Sequence, residues 1–321
     1  MPQEKNSDRR RFRVCLLRWF DRNQRDLPWR RDRDPYRVWV SEIMLQQTRV
    51  AAVKDHYERF LRRFPSIGKL ARAREASVLA AWSGLGYYRR ARMLHAAAKE
   101  VVKVGSFPVS SAELRALPGI GRYTAAAIAS IAFDEPVAVV DGNVERVMQR
   151  LLGRRLRGEP LWRAAQQILS PDRPGDFNQA LMELGATLCL PRQPKCSLCP
   201  VSQMCASRGE LPAGAPAPRQ EKREINYALD RRTGSIFLVK RPPTESLMPG
   251  MWELPEITNT KPKRQPSLIL RHSITVTDYR VYVIENAASK GTPGRWIPKA
   301  QLSKLPLTGL ARKILRATKV I

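Results

Sequence analysis

The chain has 321 residues, enough for two compact domains. It carries 57 Lys+Arg against 29 Asp+Glu, a net charge of +28 that repels itself in a folded state and calls for a polyanionic partner, nucleic acid first and a membrane surface second. No apolar run approaches the roughly 20 residues of a membrane span, and the opening MPQEKNSDRRRFRV has no apolar signal core, so a soluble intracellular protein is expected rather than a disulfide-stapled one.

From about residue 8 to 206 apolar residues recur at helical spacing, for example over 38–64, 71–82, 90–102 and 123–133. Gly/Pro turns at 64–66, 84–86 and 118–119 punctuate these stretches. The run GELPAGAPAP over 209–218 cannot hold regular structure and reads as a linker. Beyond it the pattern changes: SIFLVK over 235–240 and YRVYVI over 279–284 are β-rich, and a helix is expected over 309–318. There is no internal repeat. The expected organisation is an all-α domain, a linker, and a smaller α+β domain of about 100 residues.

Cys189, Cys196, Cys199 and Cys205 are separated by six, two and five residues, and Cys15 is the only other cysteine. Four thiolates in one short loop suit a tetrahedral zinc or an iron–sulfur cluster, and the spacing alone does not separate the two. A disulfide pair or buried thiols are the plainer alternative.

Leu117-Pro118-Gly119-Ile120-Gly121 is a tight glycine hairpin running into a helix. Glycines let the backbone turn and bare its N–H groups, and the helix N-terminus adds positive potential, so the hairpin suits a DNA phosphate. An ordinary helix–helix turn is the alternative. The hairpin continues as Arg122-Tyr123-Thr124-Ala125 and is followed by Val140-Asp141-Gly142-Asn143-Val144. This resembles the helix–hairpin–helix Gly/Pro-Asp DNA glycosylase superfamily. Longer motifs are similar to its adenine DNA glycosylase (MutY) family: LPWR over 27–30, WVSEIMLQQT over 39–48, WSGLGYY over 82–88, FNQALMELGA over 177–186, and the four-cysteine loop.

The resemblance implies an all-α helix–hairpin–helix DNA glycosylase domain with an iron–sulfur cluster loop over 1–208, a linker over 209–222 and a shortened Nudix-like lesion-recognition domain over 223–321. It implies a [4Fe–4S] cluster on Cys189, Cys196, Cys199 and Cys205. It also implies catalytic roles for Glu42 and Asp141, supported by Tyr123 and Asn143. Breaking a purine N-glycosidic bond needs a proton on the leaving base and a stabiliser for the cationic sugar, and two carboxyls in different surroundings supply both. Glu42 lies in a largely apolar helix, where desolvation favours its protonated form; a solvent-facing helical Glu is the alternative. Asp141 precedes a glycine after an apolar run, which also suits a plain helix N-cap. Related bifunctional enzymes have lysine where this chain has Tyr123, and no lysine occurs between Lys103 and Lys195. A Schiff base needs an amine, so a monofunctional enzyme is expected.

The target base must leave the stack. Leu45, Gln46, Gln47, Thr48 and Tyr87 match family residues at the base or its partner, with Tyr87 as wedge and Tyr88 as core. Trp29, Arg30 and Gln179 match the adenine pocket, and Gly119 and Gly121 the phosphate hairpin. In the C-terminal part, FLVKRP over 237–242, LMPGMWELP over 247–255 and RWIP over 295–298 resemble the family's Nudix-like domain. The glutamate-rich magnesium helix of a true hydrolase is replaced by ITNTKPKRQP over 257–266. The family's Phe-Ser-His turn is altered to Arg271-His272-Ser273-Ile274-Thr275-Val276, with Thr275 as candidate contact. The expected activity is hydrolytic removal of adenine opposite 8-oxoguanine or guanine in double-stranded DNA. The expected protein is a monomer away from membranes, at the nucleoid of a bacterial cytoplasm. The rivals are a thymine/uracil mismatch glycosylase of the same superfamily and a catalytically silent DNA-binding repair scaffold.

Overall fold

The computed structural model describes residues 2–211, 221–245, 248–257, 265–274, 277–287 and 292–321. Its helices are α1 (Pro2–Asn23), α2 (Pro35–Leu45), α3 (Val50–Arg63), α4 (Ile67–Ala71), α5 (Glu75–Trp82), α6 (Arg89–Val104), α7 (Ser111–Leu114), α8 (Arg122–Phe133), α9 (Gly142–Leu151), α10 (Gly158–Ile168), α11 (Pro174–Thr187) and α12 (Gly309–Ala317). The strands are β1 (Glu221–Leu229), β2 (Arg231–Arg232), β3 (Ser235–Lys240), β4 (Trp252–Glu253), β5 (Leu268–Ile274), β6 (Thr277–Glu285) and β7 (Arg295–Pro298). The apolar stretch 38–64 is therefore two helices. They part at Gln46–Arg49, where Gln47 takes a positive φ of 54°. Among the described residues no helix is long and apolar enough to cross a membrane.

The chain forms two compact units. The first comprises Met1–Leu61, Ser66–Gly68 and Ala96–Gly214. Its core draws Phe12, Leu16 and Phe20 from α1, Val144, Val147 and Met148 from α9, Leu161 and Ala165 from α10, and Phe177, Leu181 and Leu184 from α11. Spacings of three and four residues put each set on one helical face. Phe12 meets Phe177 edge-on with ring centroids 6.2 Å apart. A Cβ on Gly185 would lie 2.6 Å from Cβ of Asn143, so glycine is what lets α11 press against the start of α9.

The second unit comprises Arg62–Pro65, Lys69–His95 and Ala215–Ile321. It differs from the division expected at 208, because Lys69–His95 packs with the C-terminal residues. The reason is specific: the Tyr88 hydroxyl donates to the Leu307 carbonyl at 2.7 Å, and Arg92 donates to the Pro249 carbonyl. β6 is central to a mixed sheet, parallel to β1 and antiparallel to β5. β3 pairs antiparallel with β2, β4 and β7. Alternate residues Tyr227 and Leu229, Ile236 and Leu238, and Val281 and Val283 join Leu310, Ile314 and Leu315 of α12 in one core. The altered recognition segment is not a turn over Arg271–Ile274: those residues end β5, with His272 opposite Tyr279 of β6. Thr275, most of the 209–218 run and residues 258–264, where the magnesium helix was expected to be missing, lie outside the described residues.

Candidate active site

α2 is fixed at its start by Asp34, whose carboxylate accepts from the Arg37 backbone N–H at 2.9 Å, with Pro35 in the first turn. From Val38 to Met44 every residue of the helix is buried, so it runs through the interior. Glu42 is the one carboxyl in that run and is 6% exposed. It opens on a cavity of about 680 Å³. Burial pushes its pKa up to about 7; the hydrogen bond from Tyr123 and the charge of Arg30 pull the other way, and Asp141 adds to the rise. The Tyr123 hydroxyl donates to Glu42 Oε2 at 2.7 Å. A carboxyl that titrates near neutrality can give a proton and take one back.

Tyr123 stands in the first turn of α8. The hairpin before it closes through Ile120 N–H donating to the Leu117 carbonyl at 3.2 Å. Gly119, after Pro118, has φ of 75°, a left-handed position that favours glycine. Gly121 is the N-cap of α8 and offers no side chain there, so its neighbouring N–H groups stay bare.

Asp141 is indeed a helix N-cap. Its Oδ1 accepts from Val144 N–H at 2.7 Å, starting α9, while Oδ2 accepts from Asn143 Nδ2 at 2.9 Å. Asn143 is oriented in turn by Arg146, which donates to its Oδ1 at 2.9 Å, to the Gly185 carbonyl at 2.6 Å and to the Cys189 carbonyl at 2.8 Å. Asp141 and Asn143 line the same cavity as Glu42 and Tyr123.

Trp29, Arg30, Leu45, Gln46, Gln47, Thr48, Gly121 and Gln179 also line it. Trp29 is buried edge-on against Tyr57, ring centroids 5.5 Å apart. The Gln46 amide donates to Thr124 Oγ1 at 3.1 Å. Gly119 sits in the hairpin and is not part of the cavity wall. Tyr87 belongs to the second unit, 46% exposed beside a buried Tyr88. Thr275 lies outside the described residues.

Among the wall residues that sequence reasoning missed is an ion pair, Glu183 with Arg25. Glu183 is 1% exposed and accepts from Arg25 at 2.6 and 2.8 Å and from Arg30 at 2.9 Å. Burial alone would raise its pKa, but the hydrogen bonds and charges of the two arginines outweigh it and hold the carboxyl below its usual range. The signal was available in part. Gln179 and Glu183 are four residues apart on α11 and so share a face. Glu183→Gln leaves the half-buried Arg30 without its counter-charge. Breaking such a pair costs about 3 kcal/mol. Urea denaturation should show a loss of that order, and an unchanged midpoint would mean the pair is not stabilising.

The four-cysteine loop leaves α11 after Leu188. All four thiols are free and half-buried. They line one largely apolar cavity together with Val147, Leu184 and Val201. Burial pushes the Cys199 thiol up to about 11, and the other three cysteines add to the rise. Buried Arg150 ties the loop down, donating to Cys189 Sγ at 3.3 Å, the Leu190 carbonyl at 2.6 Å and the Pro191 carbonyl at 2.9 Å. Among the described residues no three His, Cys, Asp or Glu side chains converge on a single-ion site.

Residues 40–168 match the HhH-GPD superfamily of base excision DNA repair proteins. The chain is 45% identical over 278 residues to adenine DNA glycosylase of Mus musculus, covering 79% of this chain and 53% of that protein. It is 32% identical over 319 residues to adenine DNA glycosylase of Schizosaccharomyces pombe, covering 77% and 69%. The chain spans about half the length of the mammalian and plant relatives it matches. A thermostable thymine-DNA glycosylase superposes with a TM-score of 0.60 at 31% identity, over 64% of this chain and 98% of that one. Endonuclease III in a DNA complex superposes at 0.54 with 22% identity, over 62% and 96%, a likeness of fold.

Proposed function

We propose that this chain, which belongs to the adenine DNA glycosylase family, removes adenine mispaired with 8-oxoguanine or guanine from double-stranded DNA by hydrolysing its N-glycosidic bond. The observation that carries the reading is the buried Glu42, hydrogen-bonded by Tyr123 on the wall of the cavity that also holds Asp141; burial pushes its pKa up to about 7, which suits a group that must give and regain a proton. The flipped adenine enters this cavity. Glu42 gives its proton to N7 as the C1′–N9 bond breaks, and the bond's electron pair leaves with the base. The cationic sugar faces the Asp141 carboxylate, whose two oxygens are pinned by Val144 and Asn143, so its charge is already in place. Ionised Glu42 then takes a proton from water as the water oxygen bonds C1′, which restores the acid. None of the residues lining the cavity is a lysine, and Tyr123 has no amine to offer. The strand is therefore left intact at an abasic site.

A [4Fe–4S] cluster fits the four thiols that share one apolar cavity, and Cys189, Cys196, Cys199 and Cys205 would hold it. Bound, it would cross-link the loop that Arg146 and Arg150 tie to α9. Anaerobically purified protein should be brown with about four irons per chain; stoichiometric zinc without iron would overturn this reading. The second unit is read as a Nudix-like lesion-recognition domain without hydrolase activity, and the protein as a monomer on DNA in the bacterial cytoplasm.

Single-turnover assays on duplexes with A opposite 8-oxoguanine, A opposite guanine, and T opposite guanine test the function, with borohydride trapping alongside. Adenine release from the first two, alkali-labile strands and little trapped complex are expected. Thymine release would favour the mismatch glycosylase, and binding without release the silent scaffold.

A further inference from the structure

Residues 82–90 of the second unit hold an aromatic side chain out of the fold at some cost to the backbone. Tyr87 is 46% exposed, yet its φ is 47°, in the left-handed region that an aromatic residue rarely adopts. Gly84 and Gly86 before it have φ of 108° and 70°. Such a conformation persists only when its surroundings over-determine it, and it tends to mark function. The surroundings here are unusually complete. The Trp82 indole N–H donates to the Gly86 carbonyl at 3.2 Å. Arg90 donates to the Leu85 and Gly86 carbonyls at 3.2 and 3.3 Å, and its backbone N–H donates to the Tyr87 carbonyl at 2.9 Å. The Arg90 guanidinium is in cation–π reach of two rings, 5.6 Å from the centroid of Trp82 and 5.4 Å from that of Tyr87. The next residue, Tyr88, is buried, and its hydroxyl donates to the Leu307 carbonyl at 2.7 Å, with Ser83 donating to the same oxygen at 3.3 Å.

We propose that Arg90 is a positioning residue for Tyr87, stacking on its ring and pinning its backbone, and that Tyr88 carries this placement to the C-terminal part of the chain through the Leu307 carbonyl. The proposal rests on the reading of Tyr87 as the side chain that enters the DNA stack when adenine is flipped. A ring that must slip between bases loses time and free energy if it is first a free rotor. Arg90 removes that freedom beforehand, and its planar guanidinium can do so where an ammonium cannot. Because Leu307 anchors the residue next to Tyr87, the C-terminal part takes a share in opening the stack, apart from any contact of its own with the lesion.

The test is a double-mutant cycle in the full-length protein with Arg90→Met and Tyr87→Ala. Arg90→Met keeps an apolar stem but removes the stacking plane and the donors. Two readouts are needed. One is 2-aminopurine fluorescence beside the mispair in a duplex carrying a non-cleavable adenine analogue, which reports unstacking. The other is single-turnover excision of adenine opposite 8-oxoguanine. Arg90→Met should halve the fluorescence rise and slow excision about tenfold, the scale of one stacking contact. In the Tyr87→Ala background it should add less than about twofold, since the ring it positions is gone. Multiplicative effects of the two substitutions would make Arg90 a fold-stabilising residue only and overturn the proposal. Should Arg90→Met fold poorly, Arg90→Lys takes its place with shifts of the same size expected, since an ammonium cannot stack on the ring, and Tyr88→Phe should give a smaller shift in the same direction. A fluorescence rise without adenine release by the unmodified protein would overturn the functional reading and leave this one standing. No rise with the unmodified protein would overturn this one.

Discussion

Glu42→Gln is expected to abolish adenine release while leaving DNA binding within about twofold, a loss of at least ~10³ in single-turnover rate, within the range for removing a general acid–base. The amide has the size of the carboxyl and can still accept from Tyr123 at the position where the Tyr123 hydroxyl now sits 2.7 Å away. What it cannot do is lend a proton. The pH profile should carry the same signature. Burial favours the neutral carboxyl and sets its pKa at about 7, so the acid is present below that value and disappears above it. The rate should therefore fall with rising pH through neutrality, tenfold per unit once well above the pKa. Tyr123 stabilises the ionised form by its hydrogen bond, so Tyr123→Phe should move the falling limb to higher pH. A Glu42→Gln rate within tenfold of the unmodified protein would remove Glu42 from the mechanism.

Residues carried by contiguous motifs were legible without coordinates. Glu42 lies in an apolar helical run, Tyr123 just past a glycine hairpin, and Asp141 before a glycine after an extended stretch; the cavity gathers all three. What was not legible depends on approach between distant segments. The clamp of Arg25 and Arg30 on Glu183 spans more than 150 positions; the motif over 27–30 marks Arg30 but not its partner, and no local pattern distinguishes Arg25 from the other basic residues of so basic a chain. The grip of Tyr88 on Leu307 spans 219 positions, which is why a boundary drawn from composition at 208 leaves Lys69–His95 with the helices. Strands β1 and β5 escaped for another reason. The first half of β1 is Glu221-Lys222-Arg223-Glu224, all exposed, and β5 carries Arg271 and His272, so neither offers the apolar run that marked 235–240 and 279–284. Pairing with β6 makes them strands, and pairing is a tertiary fact.

Asp141 separates a structural from a chemical role within one side chain. As an N-cap, Asp and Asn are near equals. If capping were its whole purpose, Asp141→Asn would fold and work. The geometry predicts something else. Oδ1 can still accept from Val144 N–H, but the new amide NH₂ would face the Asn143 Nδ2 that now donates to Oδ2, so one partly buried hydrogen bond is lost. That should cost about 1 kcal/mol of stability. The rate should suffer far more, about 10²- to 10³-fold, because a neutral amide cannot balance the sugar cation as it forms. Asp141→Ser sharpens the contrast: serine caps well and carries no charge, so it should stay folded and be at least as slow. Single-turnover excision and thermal unfolding of both variants decide the point. If Asp141→Ser excises adenine at nearly the unmodified rate, the cap alone matters, and stabilisation of the sugar must come from another group on the cavity wall.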